Sequence, residues 1–192
     1  MNINDFFAFS TKLSLTTVMP LPVCLRESDY EKLLTGEYHD ILFPIEFRQD
    51  SGKKMCDILD TGSAILYLIS EKMRGILEEN QLTGWSTYPI KLLNKKGDEL
   101  LGYHGFSVTG KCGSVDWSKA IIVKRKLVQT GPLCQFYKGL YIGLGTWDKS
   151  DFFIPEDRLG IIVTSKAADV LKRNKLTNLE LENLCDFEAL ID

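Results

Sequence analysis

Apolar positions in this chain fall mostly in short runs bounded by Gly, Asn, Asp and Ser, a strand-and-turn pattern. At a few places the spacing becomes helical. Ser28-Asp29-Tyr30-Glu31-Lys32-Leu33-Leu34 predicts a short helix that stops at Gly36. Residues 41–47 predict a strand whose Pro44 marks an edge or a bulge, and residues 50–53 a turn. The apolar run at 64–69, between Gly62 and Ser70, has the length of a buried strand. Ser70 then caps a helix over 71–81, because its hydroxyl can accept an otherwise unpaired backbone N–H and Glu71 suits the positive helix start. Met73, Ile76 and Leu77 give that helix one apolar stripe, and Asn80 and Gly84 stop it. Residues 88–93 predict a strand, 94–97 a hairpin-like turn, and 100–108, 120–123 and 139–144 further strands.

The pattern returns 94 residues later. The segment 69–84 aligns with 163–178, with Lys72/Lys166, Leu77/Leu171, Asn80/Asn174, Leu82/Leu176 and Thr83/Thr177 identical, five of sixteen positions. The shared Asn-x-Leu-Thr exit is more than amphipathicity demands. The expectation is an internal duplication: two similar strand–helix–strand units, each laying its stripe on a sheet. Without a regular βαβα alternation the fold class is α+β, with mixed or antiparallel sheets. Residues 1–54 are expected to be a segment packed on the domain, and 55–192 the duplicated region, together one compact domain of 192 residues.

Composition narrows the function. At 44% hydrophobic and 26% charged, with net charge −3, the chain is globular and mildly acidic. A general nucleic-acid binder needs a net basic face, so direct nucleic-acid binding is not expected. Charge is uneven: −4 over residues 1–60, +5 over 61–150 and −4 over 151–192. Five scattered cysteines and two histidines show no ligand spacing for zinc, so neither metal nor cofactor is expected. No apolar run suits a bilayer and the first residues carry no basic leader, which makes the expected location cytoplasmic, with no membrane partner.

Two motifs suggest chemistry. Ile58-Leu59-Asp60-Thr61-Gly62-Ser63 resembles the catalytic loop of aspartic proteases, with Tyr103-His104-Gly105 where a flap would lie. That mechanism needs two neighbouring carboxylates sharing a proton. The repeat sets Ile154 opposite Asp60, so only a retropepsin-like dimer with Asp60 from each copy would serve. The other feature is tryptophan beside Asp, Gly or Ser in turns: Asp116-Trp117, Trp147-Asp148 with Asp151, and Gly84-Trp85. Such turns lid a core edge or form a recognition surface.

The segments 68–72, 82–85, 103–113 and 115–118, with Trp147-Asp148-Lys149-Ser150-Asp151 and Leu176-Thr177-Asn178, resemble the immunity proteins of bacterial polymorphic-toxin systems, nearest to immunity protein family 11. The resemblance spans about residues 55–185, with Lys111 and Ser114 standing where relatives have Arg and Pro. It implies a small non-enzymatic bacterial protein that neutralises a cognate toxin by binding it. Acidic chain ends would suit a basic nuclease as that toxin. The residues expected to shape or line the contact surface between the two units are Asp116, Trp117, Trp147, Asp148 and Asp151. The alternative is the dimeric aspartic protease using Asp60.

Overall fold

The computed structural model describes residues 2–63 and 65–191; Met1, Ala64 and Asp192, and with them one end of the 64–69 run, lie outside it. Its first half contains β1 (Phe6–Ser10), β2 (Met19–Pro22), α1 (Glu27–Thr35), β3 (Ile45–Ser51), β4 (Ile58–Asp60), β5 (Tyr67–Ser70), α2 (Glu71–Glu79), β6 (Trp85–Tyr88) and β7 (Ile90–Leu93). The second half adds β8 (Tyr103–Val108), β9 (Gly110–Val115), β10 (Ile121–Lys126), β11 (Leu133–Lys138) and β12 (Ile142–Gly143). It closes with β13 (Phe152–Pro155), β14 (Ile162–Thr164), α3 (Ser165–Arg173), β15 (Glu180–Asn183) and β16 (Glu188–Leu190). The class is α+β and rich in sheet.

Local chemistry explains the helices. Ser70 Oγ accepts the Met73 N–H at 3.1 Å and starts α2; Thr164 Oγ1 accepts the Ala167 N–H at 3.3 Å and starts α3. Each helix buries the stripe its sequence offers, Met73, Ile76 and Leu77 in α2 and Ala167, Val170 and Leu171 in α3. At the exits the Asn80 and Asn174 side chains donate to the carbonyls of Ile76 and Val170, at 2.8 and 2.9 Å. The chain then turns through left-handed Gln81 and Lys175, at φ +50° and +51°. α1 ends at Gly36, whose φ of +80° is one a side chain would resist.

Among the described residues four sheets form, ordered β4-β5-β8-β6, β12-β9-β13-β14-β1-β15, β2-β3-β7 and β10-β11-β16. The first two share a plan. β4 pairs with β5 through Ile58↔Ile69 and Leu59↔Leu68, and β13 with β14 through Phe152↔Val163 and Phe153↔Ile162. The third strand of one set is β8, with Ser70↔Tyr103 and Ile69↔His104. In the other it is β1, with Thr164↔Phe6 and Val163↔Phe7. The fourth strands also match: Thr87↔Phe106 in β6–β8 against Leu181↔Phe9 in β15–β1. Thus the first strand of the chain is an inner strand of the six-stranded sheet and not a layer on its outside.

One large core runs through both sets and takes in α1, α2 and α3. A smaller core under the six-stranded sheet holds Phe6, Cys112, Val115, Leu140, Trp147, Phe153, Ile162 and Leu184. Several expectations shift by a few residues for physical reasons. Pro44 precedes β3, which runs on through Asp50 and Ser51. The strand expected from residue 100 begins at Tyr103, after left-handed Gly102.

Candidate functional site

Asp57 and Asp151 stand at equivalent places in the two sets. Asp57 Oδ2 accepts the Thr177 N–H and hydroxyl, both at 2.8 Å, and the Lys72 ammonium at 3.2 Å. Its Oδ1 accepts the Ser70 hydroxyl at 3.1 Å. Asp151 Oδ2 accepts the Thr83 N–H at 3.0 Å, the Thr83 hydroxyl at 3.3 Å and the Lys166 ammonium at 3.1 Å, while Oδ1 accepts the Thr164 hydroxyl at 3.0 Å. Each carboxylate thus binds the helix start of its own unit and the Asn-x-Leu-Thr exit of the other. Burial pushes the Asp57 carboxyl up, but the Thr177 hydrogen bonds and Lys72 outweigh it and hold the group below its ordinary value.

Asp151 was expected at a contact surface. It does lie between the two units, but as a buried, fully engaged carboxylate, 6% exposed. Trp147 is likewise interior: its ring meets Phe6 edge-on at 5.3 Å and lies tilted against Phe153 at 5.5 Å. Its buried Nε1–H has no hydrogen-bond partner among the described residues. An apolar ring of that size fills the smaller core better than it would face water. Asp148 is exposed, and its Oδ2 accepts the Lys111 N–H at 3.0 Å. Its Oδ1 accepts the Ser150 N–H at 2.9 Å and the Ser150 hydroxyl. Burial raises this carboxyl, and the Ser150 bonds more than offset that, so it sits below its ordinary value.

Asp116 and Trp117 are elsewhere, past the far end of β9. Asp116 caps the turn Trp117–Lys119, accepting the Ser118 hydroxyl at 2.5 Å and the Lys119 ammonium at 2.9 Å. The Ser118 hydrogen bond and then Lys119 pull its carboxyl down. Half-buried Trp117 lies over Tyr137 of β11 with ring centroids 4.9 Å apart. The five residues therefore do not converge. One pair stands at the foot of β10–β11, two pin β9 and the smaller core, and one joins the units.

Asp60, the alternative catalytic candidate, accepts the Gly62 N–H at 2.7 Å and the Thr11 hydroxyl at 3.2 Å. Its counterpart Ile154 is buried. Tyr103 and His104, read as a flap, lie in the inner strand β8, where Tyr103 donates to the Cys56 carbonyl at 2.9 Å and the His104 ring meets Glu71 at 2.5 Å. A strand hydrogen-bonded on both sides is not a closing flap. Among the described residues no three His, Cys, Asp or Glu side chains gather to hold a metal, and no helix is long and apolar enough to cross a membrane. Burial pushes the Cys112 thiol up to about 12, which makes it a poor nucleophile.

No family model matches the chain, and no curated protein does. The remaining feature is one that sequence reading missed. The sheet β10-β11-β16 and its connecting turn expose Ile121, Ile122, Leu127, Val128, Leu133 and Leu190, at 66, 56, 58, 62, 65 and 49%. Single exposed apolar residues are ordinary; here six fall on one three-stranded sheet and its turn, Ile122 and Leu133 on one face and Ile121 and Leu190 on the other. On the neighbouring strand β15, burial and then Glu180, Glu188 and Asp186 push the Glu182 carboxyl up, the mark of a crowded acidic cluster. The signal for the hairpin was legible as Ile121-Ile122-Val123 before Lys124-Arg125-Lys126, had each side of the strand been asked what covers it.

Proposed function

We propose that this chain is a non-enzymatic binding protein of the immunity type, which neutralises a toxin protein by occupying it. The observation that carries this reading is the exposed apolar group on β10-β11-β16. A surface of that kind is stabilised by a protein partner and is a liability without one. Asp116 and Trp117, two residues of the motifs that resemble immunity proteins, stand at its foot through the Trp117–Tyr137 contact. Glu180 and Glu182 on β15 beside it, neither in an ion pair among the described residues, suit a basic face on the partner such as a nuclease has, while Glu188 and Asp186 are already paired with Arg125 and Lys138.

We also propose that the scaffold is a duplicated unit in which β1 fills, in the second copy, the place of β8 in the first. The support is the 94-residue recurrence of strand register, helix caps and carboxylate knots. The functional reading is tested by co-expressing the protein with the product of the adjacent open reading frame. Rescue of growth and co-purification of the two products are expected. If that product is harmless and no complex forms, the reading fails.

A further inference from the structure

We infer that β10, the basic edge of β10-β11-β16, is a docking edge for an acidic β-strand of the partner protein, which joins the sheet as a fourth strand while the partner's basic face meets Glu180 and Glu182 on β15. This deepens the binding reading and rests on it. Among the described residues the four sheets end in eight edge strands, β12, β15, β10, β16, β2, β7, β4 and β6, of which β10 at six residues is the longest. Proteins guard edges with proline, charge or shortness. β2 carries Pro20 and Pro22, β15 carries Glu180 and Glu182, and β12 has two residues. β10 is guarded by none of these along Ile121-Ile122-Val123, and both isoleucines are more than half exposed.

The chemistry of the edge selects its occupant. Side chains alternate, so Ile122, Lys124 and Lys126 share one face and Ile121, Val123 and Arg125 the other. Arg125 is engaged, ion-paired with Glu188 and stacked over Phe136 at 4.4 Å. Lys124 and Lys126 make no ion pair among the described residues. An added strand therefore gains most with carboxylates facing the two lysines and apolar residues facing Ile121, Ile122 and Val123. A second copy of β10 would instead crowd cations from both chains along one edge. A bilayer that took up Leu127 and Val128 at the turn would leave Ile121 and Ile122 stranded behind the cations, since six residues extend roughly 20 Å.

The test uses the full chain and two capped octapeptides of Val and Ile that differ only at the two positions facing Lys124 and Lys126, one carrying Glu there and the other Lys. The Glu peptide is expected to slow amide exchange across residues 121–126, and the Lys peptide to bind at least about tenfold more weakly. Lys124→Glu with Lys126→Glu, both at exposed positions, should reverse that preference while leaving the circular dichroism spectrum unchanged. Equal response to the two peptides, protection at another edge, or charge-dependent binding of phosphatidylserine vesicles in place of the Glu peptide would overturn the inference. In co-expression, a toxin rescued by the parent but not by the double variant supports both readings. Rescue by both chains sinks the docking edge and leaves the immunity reading standing. Failure of rescue by the parent sinks the immunity reading, and the peptide titration then decides the edge alone.

Discussion

The carboxylate knots allow a quantitative test of how the two units are held. Replacing Asp151 with Ala removes the acceptor for the Thr83 N–H, the Thr83 hydroxyl, the Thr164 hydroxyl and the Lys166 ammonium. The Lys166 side chain is 57% exposed, so water takes over its pairing and the loss there is a few tenths of a kcal/mol at most. The Thr164 hydroxyl is buried, and stranding it together with the Thr83 groups costs about 2–4 kcal/mol. For a domain of this size that lowers Tm by roughly 5–15 °C. Asp57→Ala breaks the matching set at Thr177, Ser70 and Lys72, whose side chain is 52% exposed. The Asp57 loss should be of the same kind but smaller, because the bond types match while Ser70 is only half-buried and the Thr177 bonds are exposed, where Asp151 leaves buried Thr164 stranded. Differential scanning calorimetry and urea titration of parent, single and double variants read this directly. If both knots close one interface, the double variant loses less than the sum of the singles. Two silent substitutions, or an Asp57 loss larger than the Asp151 loss, would refute the argument that corresponding knots do corresponding work.

Four further outcomes are expected. The Asp57, Asp116 and Asp148 carboxyls lie below their ordinary values, so the stability they give is present above their unfolded pKa and lost as pH falls through the lowered folded values. Urea midpoints should hold between about pH 7 and 5 and drop below about pH 4, and Asp57→Asn should flatten that drop. Gly84→Ala should cost well over about 1 kcal/mol by calorimetry, since Gly84 sits at φ +81° and its Cβ would lie 2.1 Å from the Phe152 carbonyl oxygen. Trp147→Phe removes the unpartnered indole N–H along with some packing and should stay within about 1–2 kcal/mol of the parent in urea titration, whereas Trp147→Ala should cost about 3–5 kcal/mol. In amide exchange β1 should open together with β14 and β15, and β10 well before them. Early exchange of β1 would show it to be an accessory strand.

Much of the scaffold was legible because its signals are local. Ser70, Asn80 and Gly84 announce the start and stop of α2 by side-chain chemistry that acts within one turn. The match of 69–84 to 163–178 is visible in the sequence because local signals of the same kind stand at Thr164, Asn174 and Asn178. What was illegible is long-range. Phe6-Phe7-Ala8-Phe9-Ser10 carries no alternation because β1 lies between two strands with a core on each side. Gly110-Lys111-Cys112-Gly113 reads as a turn, yet it is strand because a Cβ on Gly110 or Gly113 would strike Phe152 or Thr146. The five candidate site residues stand out in the sequence by chemical type. Type alone could not tell buried Trp147 and Asp151 from half-exposed Asp116 and Trp117, since burial depends on which strands come to cover each turn.

The recurrence also separates scaffold from the rest. Every strand of β4-β5-β8-β6 has a partner of matching register in β13-β14-β1-β15, and the helices and knots match as well. Strands β9 to β12 have no such partner: β9 and β12 extend the six-stranded sheet beyond β13, and β10–β11 leave it to pair with β16. Residues that repeat are constrained twice by the same packing problem, so their chemistry is explained by the fold. Those on β10–β11 are not: Ile121, Ile122 and Leu133 fill no core and Lys124 and Lys126 meet no acid among the described residues. In the binding reading proposed above, these apolar and basic side chains serve a partner strand, and the reading stands or falls on whether one covers them.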